Sequence, residues 1–351
     1  MDNRQPWLNS KWSDIFFILS PAFISLLLVV LFPAQFQKSV GIPVAYWVFL
    51  ILFIDVAHVY STLYRTYFNS ENFKNQKTLL LSVPLVCYIF GIIIYKFDAL
   101  WFWRLLAYLA VYHFIRQQYG FMRLYSRTEK TSKAVKLIDQ VAIYTATIYP
   151  LIFWHLSPGR NFNWFVEGDF LSFENDFLLH YATILYVAII SVYVLKETIS
   201  CMKNKWVNVP RNLIIIGTFL SWYFGIVYFN GDMAFTTLNV ISHGIPYMAL
   251  IWFFEKKKNH NLSLKSKICS LCFDKFGIVY FVMILLVFAY LEEGLWDGMV
   301  WREHQSVFKP FVFLPYLNSN NALMLIVPLL SLPQSTHYVL DGFIWKSKNK
   351  F

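Results

Sequence analysis

Apolar runs of about twenty residues recur from one end of this chain to the other, and that recurrence decides what it can fold into. A run of that length covers a roughly 30 Å hydrocarbon core when it is helical, because each residue adds 1.5 Å. Ten such runs are predicted, over residues 13–33, 42–64, 78–96, 99–119, 135–156, 178–196, 211–229, 233–254, 277–294 and 320–345. Of the 351 residues, 58% are hydrophobic and 14% charged, which leaves no polar stretch long enough for a separate soluble domain. The fold class read from this pattern is all-α: a polytopic membrane protein whose residues 1–351 form one transmembrane helical domain. The first run is read as a retained span, since it lacks the short apolar core and small-residue cleavage site of a secretory signal.

Charge sets the expected orientation. Cytoplasmic loops of membrane proteins collect Lys and Arg. With ten spans and both termini cytoplasmic, the inner segments hold 24 of the 30 basic residues, including the run Arg116–Lys136 and the Lys346–Lys350 tail. The outer loops hold Glu167, Asp169, Glu174 and Asp176, and later Glu292, Glu293, Asp297 and Glu303. The net charge of +10 is thus a topology signal and an anionic-lipid contact rather than a sign of nucleic-acid binding. A bacterial inner membrane fits this bias. The hairpin from Glu292 through Trp301 to His304 reads as a solvated interfacial segment anchored by tryptophans.

Four histidines fall inside the apolar runs: His58, His113, His243 and His337. An ionisable side chain is costly in hydrocarbon, so each is a functional-site candidate. In the ten-span topology all four lie on spans running outside to inside, roughly 10–20 Å from the inner boundary at 1.5 Å per residue. They are therefore expected to form one layer. Each has a polar neighbour three or four residues away, on its own helical face. Asp55 precedes His58, Gln117 follows His113, Asn239 precedes His243 and Asp341 follows His337. A metal-bound histidine usually gives its second ring N–H to such a group. The reading is a metal held by the four imidazoles, with Asp55 and Asp341 as catalytic or ligand-orienting carboxylates. Gln117, Asn239, Arg116 and Tyr247 are the supporting or substrate-facing residues.

Iron suits an open histidine site that must bind dioxygen, while copper and zinc also accept imidazole. The reaction expected is oxidation or oxidative cleavage of a lipophilic small molecule entering from the bilayer. Two other readings use the same groups. One is a proton- or cation-coupled transporter relaying through Asp55, His58, His337 and Asp341. The other is an acyl- or prenyltransferase with His243 as general base beside Asn239. Arg116, Gln117 and Gln118 interrupt an apolar helix, either as interfacial residues or as a polar mouth. Cys269 and Cys272 form a single CxxC near His260, without the second ligand pair that structural zinc requires.

The pattern resembles the Brp/Blh-type membrane dioxygenases that cleave β-carotene. That family carries an early Pro-His followed by an acid, an inner His-Phe, and a late Pro-His with an aspartate five residues on. His113-Phe114 resembles the second motif, and the segment from Pro333 through His337 to Asp341 resembles the third with altered spacing. His58 and His243 take the corresponding order along the chain, although His58 lacks the preceding proline and its acid comes before it. The resemblance implies non-haem iron on the histidines and a lipophilic, carotenoid-like substrate.

Overall fold

The computed structural model describes residues 5–37, 41–259, 271–274 and 276–345. Ten helical rods account for most of them, with no strand among the described residues. α1 joins Lys11–Leu19 to Pro21–Leu31 through a 48° bend. α2 is Val44–Arg65, α3 Lys77–Phe97, α4 Ala99–Tyr125, α5 Lys133–Leu156 and α6 Asp176–Asn204. α7 is Val209–Tyr228, α8 Asp232–Asn259 and α9 Gly277–Trp301. α10 joins Asn320–Leu330 to Leu332–Ile344 through a 42° bend.

Seven of these rods are long and apolar enough to cross a membrane, or nine when each bent pair counts as one. α4 is outside that set although it has 27 residues, because Arg104, Arg116, Gln117, Gln118 and Arg123 interrupt its apolar sequence. α9 runs seven residues past the end of its apolar run. The acidic hairpin expected after it is instead partly interior, with Glu292 and Asp297 both buried. Gln334 Nε2 donates to one carboxyl oxygen of Glu292 at 3.2 Å. The backbone N–H of His304 donates to Asp297 at 2.6 Å.

Local chemistry explains where the rods start and bend. Asn175, Asn208 and Ser132 each accept a backbone N–H from the first turn of α6, α7 and α5, the usual way to satisfy a helix N-terminus. Pro84 sits inside α3, where it has no N–H to give the carbonyl four residues earlier. That carbonyl belongs to Leu80, and the Tyr67 hydroxyl donates to it at 2.7 Å. The acceptor orphaned by proline is satisfied from outside the helix.

The chain divides into two compact units, each made of two segments. The divisions fall within α4, between His113 and Phe114, and within α8, between Pro246 and Tyr247. The first unit holds α1, α5, α6, α7 and the adjoining parts of α4 and α8. Its charged residues form an interior network. Arg211 on α7 pairs with Glu129, Asp139 and Glu197, and Lys196 pairs with Asp139 and Glu197.

The second unit holds α2, α3, α9, α10 and the rest of α4 and α8. Leu52, Tyr64, Tyr247, Ile251, Phe281 and Leu285 make its main core. α3 approaches α10 closely at Gly91, where an added Cβ would stand 2.9 Å from Cβ of Pro328. The other side of α3 exposes Leu81, Leu85, Val86, Ile89, Phe90 and Ile93, an apolar face suited to hydrocarbon rather than water.

Candidate metal centre

His58, His113 and His337 come from three helices of the second unit. α2 is π-helical over Val48–Val56 and returns to α-helix at Ala57, so His58 stands at the junction. From there His58, Thr62 and Arg65 share one face at steps of four and three residues. α4 places His113, and the second half of α10 places His337 and, one turn later, Asp341. All three imidazoles are buried, exposed by no more than 2%.

One ring nitrogen from each of the three lies within 4.8 Å of the others. Nε2 of His113 and Nε2 of His337 are 3.1 Å apart. The opposite nitrogens face outward onto polar groups. His337 Nδ1 is 2.7 Å from Thr62 Oγ1. His113 Nδ1 is 3.4 Å from Asp341 Oδ2. His58 Nδ1 is 3.7 Å from Asp55 Oδ1. Asp341 is held in turn: Tyr247 Oη donates to its Oδ1 at 2.6 Å and Trp345 Nε1 donates at 2.7 Å. Tyr247 Oη also lies 3.1 Å from Thr62 Oγ1, which links the two outer partners.

The donor set fits a transition metal. Neutral imidazole is a common ligand for iron, copper and zinc, and its second nitrogen is ordinarily anchored to a carboxylate or hydroxyl. At a metal–nitrogen distance of roughly 2.0–2.2 Å, two nitrogens 3.1 Å apart subtend about 90–100°, an angle between octahedral and tetrahedral. Nitrogens this close cannot both carry protons without repulsion.

The expected partnerships are partly rearranged. Asp341 shares a helical face with His337, yet its carboxylate lies against His113 of α4, and Thr62 serves His337 instead. Asp55 does lie beside His58, as the spacing suggested. Tyr247 contributes through Asp341. His243 is not one of the three clustered histidines. It belongs to the first unit, where its ring stacks on Phe114 with centroids 3.4 Å apart and planes 5° from parallel. Gln117 donates to the His243 carbonyl at 2.9 Å rather than serving a ring, and Asn239 donates to the Phe235 carbonyl of its own helix.

Arg116 donates to the Tyr144 hydroxyl and Gln118 accepts from Thr218, so these polar residues are tied to neighbouring helices. Cys269 and His260 lie outside the described residues; Cys272 is buried with its Sγ 3.3 Å from Tyr64 Oη. Thr62 and Trp345 were not among the residues singled out by sequence. Thr62 is four residues after His58 and Trp345 four after Asp341, so the same-face rule reaches both. Comparison with protein-family models, with curated proteins and with solved structures finds no match.

Proposed function

We propose that the chain is an integral membrane metalloenzyme that binds one transition metal, iron in this reading, on His58, His113 and His337. The observation that carries the proposal is the convergence of three buried imidazoles whose other nitrogens face Asp55, Asp341 and Thr62. Ten spans with both termini cytoplasmic, in a bacterial inner membrane, complete the reading, on the strength of the Lys and Arg bias.

When bound, such a metal would supply a Lewis-acidic, redox-capable position for dioxygen and substrate. The chain's own residues do the rest. Asp341, clamped by Tyr247 and Trp345, fixes the tautomer and orientation of His113. Thr62 does the same for His337. The surrounding aromatic and aliphatic side chains exclude water, which suits oxidation or oxidative cleavage of a lipophilic substrate. Carotenoid-like and lipid-like molecules both belong to that class.

Metal analysis of the purified protein tests the proposal. About one iron per chain is expected, lost in His58→Ala, His113→Ala and His337→Ala. A metal-free wild-type chain, or one that keeps its metal in all three variants, overturns it. Proton-coupled transport by a metal-free chain would be the finding that favours the transporter reading.

A further inference from the structure

A cavity of about 210 Å³ lies in the second unit among α2, α3 and α10, and two of its wall residues are His337 and Thr62. Its other walls are mainly apolar, including Val59, Leu63, Leu332 and Leu340. Pro84 brings α3 into the lining, and the outward face of α3 is the apolar one already described. A pocket that encloses a whole small ligand typically measures about 300–1,000 Å³. This one is smaller, with room for only part of a long-chain molecule.

One wall group has a role still unassigned. Thr336 lines the cavity next to His337 and is 9% exposed. Its Oγ1 is buried with no hydrogen-bond partner among the described residues. A buried hydroxyl without a partner loses the hydrogen bonds that water would supply. A hydroxyl side chain can recover one from its own helix, and Ser335 does so to the Leu332 carbonyl at 3.4 Å. Thr336 does not, so its hydroxyl remains available to an occupant.

We propose that this cavity binds the end of a long hydrocarbon chain bearing one oxygen function, with Thr336 hydrogen-bonded to that oxygen beside His337. The hydrocarbon is recognised by the apolar walls that α2 and α10 supply. The oxygen distinguishes the ligand from a plain alkane and sets which part of the chain lies nearest the histidines. The identification of the ligand as substrate rests on the metalloenzyme reading; its binding does not.

The test uses the full chain in lipid nanodiscs, labelled with hexadecanol or with hexadecane, each carrying a diazirine near one end of the chain, the hydroxyl-bearing end in hexadecanol. After irradiation, adducts are mapped by peptide mass spectrometry, and metal content is measured on the same samples. Adducts are expected in the segments 59–63 and 332–340, with hexadecanol favoured roughly fivefold, about the worth of one net hydrogen bond. Thr336→Val should remove that preference while keeping the adducts. Leu63→Trp and Leu332→Phe should each suppress adducts from both probes. Adducts spread evenly over lipid-facing helices, or a preference unchanged in Thr336→Val, would overturn the proposal. A metal-free chain that labels in the cavity sinks the metalloenzyme reading and supports the cavity. A metal-loaded chain labelled only on its outer faces does the reverse.

Discussion

Nε2 of His113 stands 3.1 Å from Nε2 of His337, although 224 residues separate them in the chain. Their close approach leaves room for one proton or one cation between them, and a cation also gives His58 a role. On the proposed reading, removing a metal from this position should loosen the fold as well as empty the site. A ligand that binds only the folded state stabilises it by about 2.7 kcal/mol at a hundredfold excess over its dissociation constant. Chelation is expected to lower the thermal midpoint of the wild type, and iron should restore it. His337→Ala should melt at the same temperature with and without the chelator. An unchanged wild-type midpoint would argue against a bound metal.

His243 provides the internal contrast. Its ring packs flat on Phe114, outside the cluster of three. His243→Leu keeps an apolar side chain against Phe114 and is expected to retain the full metal content. Loss of metal in this variant, with the protein still folded, would return His243 to the ligand set.

The outer partners should tune affinity rather than abolish binding. Replacing a group that orients a metal-bound histidine typically costs 10–100-fold in metal affinity. Asp341→Asn and Thr62→Val are each expected to fall in that range in competition titrations against a metal buffer. Tyr247→Phe, one bond further out, should cost less than Asp341→Asn. A larger loss in Tyr247→Phe would mean that it serves the metal by some route other than Asp341.

The sequence carried more of the architecture than of the site. Each apolar run matches one helical rod because hydrocarbon thickness sets a minimum length that composition reveals. The ends were harder to read. α6 continues eight residues past its apolar run, since Lys and Glu propagate a helix as well as leucine does. For the site, spacing from the basic loops estimates depth along a helix but not rotation about its axis. Depth grouped His58, His113 and His337 with His243, whose ring stacks on Phe114 and is not among the clustered three. The same limit explains Asp341: a shared helical face identifies it as a neighbour of His337, but only packing decides that it turns to His113.

Proline and tyrosine offer a separate test of the fold. Tyr67 donates to the carbonyl that Pro84 leaves without its helical donor. Tyr67→Phe should destabilise the protein by about 1 kcal/mol. Pro84→Ala restores an N–H to that position, so the same Tyr67→Phe change should cost less in its background. A double-mutant cycle by reversible unfolding in mixed micelles measures the difference. Strict additivity would show that the tyrosine acts elsewhere.

In the first unit, Arg211 pairs with three carboxylates, of which Glu129 and Asp139 are almost wholly enclosed. Removing one partner of a buried ion pair costs about 3–5 kcal/mol, because the opposite charges stay behind. Arg211→Met is expected to lose stability on that scale, read as a fall in folded yield and in midpoint denaturant. Arg211→Lys should recover only part of it, since an ammonium cannot reproduce the guanidinium fork. Near-normal stability in Arg211→Met would make the network peripheral.

The three helices that carry the proposed ligands differ in hydrogen-bonding pattern. His113 and His337 project from regular α-helix, whereas His58 follows nine π-helical residues. A π-helical stretch holds one more residue in each hydrogen-bonded ring, and its boundary can migrate by exchanging one carbonyl acceptor for the next. Downstream, the helix is moored at Arg65, whose guanidinium lies 3.9 Å from the Phe254 ring and 4.2 Å from that of Trp345. Two imidazoles thus project from α-helical hydrogen bonding and the third from the end of a π-helical stretch. A metal held by these three side chains could change radius or coordination number by a shift at His58, while Arg65 still fixes the downstream end of that helix.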